Sequence, residues 1–261
     1  MLTATLYYNS ITRNYSKTLA TTAAEPAVAQ QTKYFLANIG NVKTVSDLIN
    51  NSKLYNYVMT AFGLGDMINA KGLIEKVLEG GISNPKSLAN TLNDSRYKAL
   101  ASTFDFASNG AATTSSAVLQ QTTVNNYVEQ TLETNVRKQN QGTQMALYFQ
   151  RMAPTITSAY SILGDKTLLS VIQTALGLSP AMSESNIDIQ ARMITSKLNI
   201  ADLKDPAKLQ QFIERFTAAY DATNTSASPV TPLTPLFDAS TTIGISSNLL
   251  LNLANLKLGG S

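Results

Sequence analysis

Carboxylates are the first side chains in this sequence that could carry out chemistry. Asp66, Glu75 and Glu79 lie close together in the chain, and Glu75 and Glu79 are one helical turn apart. Two carboxylates on one helix face could serve as general acid and general base. However, Lys71 and Lys76 are interleaved with them, which is typical of a solvated helix face. We therefore favour the structural interpretation of this cluster.

A second group of charges precedes a proline. Asp202 and Asp205 flank Lys204, and Pro206 follows at once. An acidic residue directly before a proline is the pattern of a helix N-terminus, so capping accounts for Asp205. The sequence contains no phosphate-binding glycine loop, no nucleophile elbow and no calcium-loop spacing of acidic residues.

The residue types that are missing narrow the chemistry further. The chain has no Cys, no His and no Trp. This composition excludes the usual zinc sites as well as Cys–His and Ser–His nucleophile pairs. We therefore expect a protein that is not an enzyme and that needs no cofactor or metal. An enzyme that uses only Asp, Lys and Tyr is the remaining catalytic alternative.

Charge is scarce in this chain. Of 261 residues, 44% are hydrophobic but only 14% are charged, against about 25% in an average protein. The net charge of +3 comes from 20 basic and 17 acidic residues, without a basic stripe that would suggest a nucleic-acid partner. Hydroxyl and amide groups must cover much of the surface, and such a surface opposes self-association only weakly.

Targeting signals are not apparent. Residues 1–10 lack the basic region and apolar core of a signal peptide, and no run approaches the roughly 18 apolar residues of a membrane span. We expect no membrane span, and a cytoplasmic location unless the protein leaves by a leaderless route.

An internal repeat organises the sequence. The stretch Ala-Phe-Gly-Leu at residues 61–64 returns as Ala-Leu-Gly-Leu at residues 175–178, an offset of 175 − 61 = 114 residues. Apolar positions coincide on both sides of it, pairing Tyr34 with Tyr148, Phe35 with Phe149, Val42 with Ile156, Leu48 with Ile162, Leu54 with Leu168 and Val58 with Ile172. An offset of 113 residues pairs Ile11 with Val124, Tyr15 with Val128 and Leu19 with Leu132.

The recurring glycines are predicted to end helices. Gly63 and Gly177 each follow an apolar helical stripe and precede a leucine. A left-handed glycine cap allows that leucine to fold back onto the last helical turn. We therefore interpret both residues as structural helix stops and not as nucleotide-binding glycines.

The pattern predicts an all-α protein with two copies of a helical unit of about 110 residues. Strand signals are weak throughout. Residues 1–110 form the first unit and residues 117–222 the second; a long helix over residues 117–152, weakened at Gly142, joins them. Residues 109–116 are expected to be a linker, and helices are expected to begin at Pro26, Pro85 and Pro206.

The C-terminal residues 223–261 differ in composition. Three prolines within residues 223–236 predict an extended arm, and the tail that follows is rich in leucine. The tail could pack on its own core, or it could dock onto a neighbouring subunit as a helix in a groove. The candidate partner-binding residues are Leu249, Leu250, Leu253 and Leu256.

Several short runs within residues 34–106 carry a family resemblance. They are NIGNVKTVSDLI at 38–49, AFGL at 61–64, PKSLAN at 85–90, NDSRY at 93–97 and FDF at 104–106. This stretch resembles an uncharacterised family encoded in flagellar gene clusters of alphaproteobacteria. The second copy resembles it more loosely, since only Glu-Arg-Phe at 214–216 stands where the Asp-Ser-Arg-Tyr run would be.

The resemblance implies a role linked to the flagellum and supplies no catalytic residues. Low charge and abundant hydroxyl and amide side chains are also similar to flagellar axial and filament proteins that are exported without a leader. We expect an exported structural or assembly protein that contacts other flagellar proteins or copies of itself. The alternative is a cytoplasmic adaptor or export chaperone for flagellar subunits.

Overall fold

Helices account for all the regular structure in residues 2–224, which is the part of the chain that this computed structural model describes. The arm and the leucine-rich tail, with Leu249, Leu250, Leu253 and Leu256, lie outside these residues. None of the helices in residues 2–224 combines the length and the hydrophobicity that a membrane span requires.

The chain forms fifteen α-helices between residues 2 and 224. They are α1 Ala4–Thr12, α2 Tyr15–Ala23, α3 Pro26–Asn38, α4 Val45–Asn50, α5 Ser52–Ala61, α6 Lys71–Gly80, α7 Leu88–Thr91, α8 Ser95–Thr103, α9 Phe106–Asn109, α10 Ala117–Arg137, α11 Gln141–Met152, α12 Ala159–Leu163, α13 Lys166–Leu176, α14 Ile187–Thr195 and α15 Pro206–Asn224. Short 3₁₀ turns connect several of them, at Ile39–Asn41, Gly65–Met67, Gly110–Ser115, Ala153–Thr155, Pro180–Glu184 and Ile200–Lys204.

Local sequence explains where many helices begin. Helices α3 and α15 start at prolines, and Asp205 Oδ1 accepts hydrogen bonds from the Ala207 and Lys208 amides at 2.9 and 3.2 Å. Thr44 and Asp47 form a reciprocal capping box at the start of α4. The amides that donate to the Asp47 carboxylate hold its pKa below the ordinary value.

Two glycines end the helices α5 and α13 in the same way. Gly63 follows α5 with φ +69°, and Gly177 follows α13 with φ +62°. The next residue then donates its amide hydrogen five residues back, from Leu64 to the Met59 carbonyl and from Leu178 to the Gln173 carbonyl, both at 2.8 Å. Leu64 and Leu178 are buried as a result.

The apolar side chains form two clusters, which we call the first core and the second core. The first core extends from Phe35 to Leu119 along the chain and is built by α3 to α10. The second core combines Tyr8 and Ile11 of α1 with residues 132–216. Helix α10 serves both, because its first half packs on α5 and its second half reaches α11 and the second core.

The connections differ from the sequence prediction in three places. The predicted helix over residues 117–152 is interrupted at residues 138–140, because the Asn140 side chain accepts from the Thr143 amide and starts α11 there. The expected linker at 109–116 is a 3₁₀ turn fixed by the buried Thr114 hydroxyl, which donates to the Val42 carbonyl at 2.7 Å. At Asn84, the side chain caps a turn, and the next helix starts only at Leu88.

Replacing Gly177 with alanine should lower the free energy of unfolding by about 1–2 kcal/mol. The cost arises from the left-handed backbone conformation, since within residues 2–224 no atom beyond the chain neighbours lies within 4 Å of the added Cβ. Gly40→Ala is the matched control, because that site is equally open but has no positive φ. The free energy of unfolding of both variants would be measured by urea denaturation. If Gly177→Ala is no less stable than Gly40→Ala, the capping role of Gly177 is wrong.

Candidate functional site

A polar cavity of about 450 Å³ lies beside α10. Helix α10 contributes Gln130, Glu133, Thr134 and Arg137, which share one face because they are three or four residues apart. The other lining residues come from both parts of the chain and are Gly63, Asp66, Arg96, Gln144, Tyr148, Gly164, Asp165, Lys166 and Thr167.

Arg96 enters the cavity from α8 and is held on several sides. Its guanidinium forms a bidentate ion pair with Asp94, with distances of 2.7–3.1 Å, and donates to the Gly63 carbonyl at the end of α5. Asp66 lies 3.5 Å away and is exposed. Burial favours the neutral guanidine, but the hydrogen bonds and charge of Asp94 outweigh it and raise the pKa of Arg96.

The opposite wall is closed by a tyrosine and an aspartate of the second part of the chain. The Tyr148 hydroxyl donates a hydrogen bond to the Asp165 carboxylate. The other oxygen of Asp165 caps α13 by accepting from the Thr167 and Leu168 amides at 2.8 and 3.0 Å. Burial, followed by the negative charge of Asp165, raises the pKa of Tyr148, so its hydroxyl remains a donor at neutral pH.

A buried ion pair lies next to the cavity. Glu133 of α10 accepts hydrogen bonds from Arg151 of α11 at 2.7 and 3.2 Å, and Glu129 lies 4.0 Å from the same guanidinium. The Arg151 guanidinium also lies 5.2 Å from the centre of the Tyr148 ring. Burial raises the pKa of Glu133 although Arg151 opposes this shift.

Glycines permit the close approach of the walls. A Cβ on Gly164 would lie 2.9 Å from the Asn93 carbonyl oxygen, so only glycine fits between α12 and the turn before α8. A Cβ on Gly63 would lie 3.2 Å from Nε2 of Gln130. That amide nitrogen is buried and has no hydrogen-bond partner in the part of the chain that the structure describes.

The chemistry that this arrangement offers is pairing and positioning. The Arg96 and Arg151 guanidiniums neutralise Asp94 and Glu133. The Asp165 carboxylate is held by the neutral Tyr148 hydroxyl and by two backbone amides. Within residues 2–224 no three acidic side chains come close enough together to hold a metal ion. The contacts of these side chains link α8 to the end of α5, α10 to α11, and α11 to the start of α13.

The carboxylates singled out by sequence are separated in the structure. Asp66 lines the cavity, whereas Glu75 and Glu79 are on α6 and do not. Asp202 pairs with Lys208 at 2.7 Å on the surface, and Asp205 caps α15. Sequence reasoning missed Arg96, Tyr148 and Asp165 as a group; the one signal was the Asp-Ser-Arg-Tyr run, which contains Arg96.

Residues 2–224 thus form an all-helical fold with a polar cavity whose walls carry paired charges. The model of the family described as "Protein of unknown function (DUF1217)" matches residues 61–209, which is more than half of the chain and includes every cavity-lining residue. The chain belongs to this family.

A solved structure is similar over most of the chain. The crystal structure of protein AGR_C_984 from Agrobacterium tumefaciens shares 39% sequence identity, with a TM-score of 0.78. The match covers 84% of this chain and 93% of that one. The comparison with curated proteins gives no match.

Replacing Arg151 with methionine should destabilise the fold by about 3–5 kcal/mol at neutral pH, because it leaves the Glu133 carboxylate buried without its partner. The loss should depend on pH. Burial raises the pKa of the Glu133 carboxyl in the folded protein above its ordinary value of 4.5. The free energy of unfolding therefore falls as the pH rises from the ordinary pKa to the raised one. Without Arg151 this window extends to higher pH.

Unfolding free energies from pH 4 to pH 8 would test this expectation. The double variant Arg151→Met/Glu133→Gln removes the charge as well and should recover most of the stability with a flatter pH profile. A destabilisation by Arg151→Met that is the same at every pH would contradict the account.

Proposed function

We propose that this protein is a non-enzymatic structural or assembly component of the bacterial flagellum, exported without a cleaved signal and acting through protein–protein contacts. Two features support the flagellar assignment. Residues 34–106 resemble a family encoded in flagellar gene clusters, and the chain has the low charge and abundant hydroxyl and amide side chains of leaderless axial proteins. The partners would be other flagellar proteins or copies of this chain.

The state of the cavity charges is the observation that carries the non-enzymatic part of the proposal. Arg96 is paired with Asp94, Tyr148 donates to Asp165, and Glu133 is paired with Arg151. A catalytic group needs a proton or a lone pair that faces the substrate. The protons and lone pairs of these side chains are instead used in hydrogen bonds within the protein. Such pairs suit a rigid scaffold better than an active site.

We further propose that the scaffold arose by duplication of one helical unit. In the first unit α3, α4, α5 and α6 follow α1 and α2; in the second, α11, α12, α13 and α14 follow the long helix α10. The helix that is followed by a glycine with positive φ is α5 in the first unit and α13 in the second. Pro206, at the start of α15, would then correspond to Pro85, which precedes α7.

The leucine-rich tail is the proposed contact element toward a neighbour. Its candidate residues, Leu249, Leu250, Leu253 and Leu256, have the spacing of an amphipathic helix. A surface of this kind is usually buried against a partner.

Cell fractionation would test the location. The sheared flagellar fraction, periplasm, membrane and cytoplasm would be probed with an antibody against the chain, in cells with and without a functional flagellar export gate. We expect the protein in the sheared or extracellular fraction only when the gate works. An unchanged location in gate mutants, together with normal flagella after deletion of the gene, would overturn the proposal. A soluble complex with a flagellar subunit in the cytoplasm would instead support the chaperone alternative.

Deleting residues 247–261 should abolish flagellar association without unfolding the helical scaffold. The thermal midpoint and helical circular dichroism of the purified truncated protein should match those of the full chain. Leu253→Asp is a matched point variant that removes one apolar contact only. If the truncated protein unfolds at a much lower temperature, the tail belongs to the core and the docking role is wrong.

A further inference from the structure

The N-terminal helix α1 is separated from its neighbour α2 by a two-residue hinge, Arg13–Asn14. Asn14 has φ −137° and ψ 50°, outside the helical region, and its side chain makes no capping hydrogen bond. The hinge lets α1 fold back so that it packs against α11 and α15 in the second part of the chain. Both hinge residues are exposed.

The folded-back helix sits in a well-fitted groove. The Asp221 carboxylate accepts hydrogen bonds from the Ala4 and Thr5 amides at 2.6 and 3.0 Å and so caps the first turn of α1. Tyr8 is buried, and its hydroxyl donates to Gln150 at 2.9 Å. Because Gly142 has no Cβ, the side chains of Tyr220 and Ala4 can occupy the space beside it.

The chain itself contains an unbroken version of the same segment. At the offset of 113 residues, positions 4–23 correspond to positions 117–136, which lie in the continuous helix α10. In α10 the counterpart of Leu6 is Leu119, which is buried in the first core. Leu6 is 59% exposed, and Leu2, one turn before it, is 58% exposed.

We propose that α1 is an exchangeable arm that docks into the α11–α15 groove of a second copy of this chain. In that form Arg13 and Asn14 become helical, and α1 and α2 join into one helix like α10. The groove contacts are recreated between copies, so their energy is retained, while the apolar face of Leu2 and Leu6 comes to lie between two molecules. A short hinge of this kind is the usual site of such exchange.

The inference rests on the duplication proposed above, because α10 supplies the model for the continuous helix. It deepens the proposed function by naming a second copy as partner. Its test needs only purified protein, so it can fail while the flagellar location stands, and the reverse also holds.

Two hinge variants would test the exchange by opposite effects. Asn14→Ala favours a continuous helix and Asn14→Gly disfavours it. The difference in helix propensity between alanine and glycine changes the equilibrium constant between the broken and the continuous helix about fivefold for each hinge. Light scattering after size exclusion, on samples equilibrated at about 1 mM, should show more self-association for Asn14→Ala than for the native chain and less for Asn14→Gly. Both variants remaining monomeric, or both associating equally, would overturn the proposal.

Site-specific cross-linking would identify the contact. The chain has no cysteine of its own, and the Thr5 hydroxyl lies 2.7 Å from the Asp221 carboxylate. When a tagged Thr5→Cys chain is mixed with an untagged Asp221→Cys chain at high concentration, a disulfide between the two chains forms only if α1 of one sits in the groove of the other. A matched pairing of Thr5→Cys with Lys86→Cys, an exposed position on a different part of the surface, should give no such product. Failure of the first pair to cross-link in associated Asn14→Ala samples would overturn the exchange.

A surface variant separates the exchange from simple unfolding. Leu6→Ser should reduce self-association severalfold and leave the thermal midpoint of the monomer unchanged, because Leu6 is largely exposed there. If Leu6→Ser leaves the association unchanged, the apolar face plays no part in it and this arrangement of the two copies is wrong.

Discussion

One helix that belongs to two cores is the constraint on which the described structure depends. Helix α10 has 21 residues and is therefore about 31 Å long. Its first half supplies Leu119, Val124 and Tyr127 to the first core, and its second half supplies Leu132 and Val136 to the second. Because neither core is complete without α10, the two cores are expected to unfold together rather than as independent modules.

The polar cavity follows from this shared helix. The apolar face of α10 is used by the two cores, so the face with Gln130, Glu133 and Arg137 is left toward the gap between the surrounding helices. Charges in a narrow gap lose hydration, and each pair with Arg96 or Arg151 offsets that loss. The cavity is thus a consequence of how the cores are joined, and the Glu133–Arg151 pair joins α10 to α11 beside it.

Helices and their caps could be predicted from the sequence, but contacts between residues far apart in the chain could not. The all-helical class, the starts at Pro26 and Pro206 and the cap at Thr44 depend on residues within one helical turn, so a periodicity argument can find them. Arg96 and Asp165 share the cavity although they are far apart in the chain, and no spacing rule predicts that. The break at Asn140 was missed because an asparagine cap competes with an apolar stripe that continues through it.

The same apolar pattern gives a continuous helix at α10 and a broken one at α1–α2, so local propensity does not decide between them. Breaking the helix forfeits one or two backbone hydrogen bonds, each worth about 1 kcal/mol net. Folding back buries Tyr8 and Ile11, and a large apolar side chain gains about 1.5–3 kcal/mol on burial. The broken helix is the more stable form only while α1 has no groove available other than the α11–α15 groove of its own molecule. A second copy offers an identical groove without the cost of the break, and it also covers Leu6, so the balance depends on concentration. An ordered array of copies, as in a filament, is where the continuous helix would prevail.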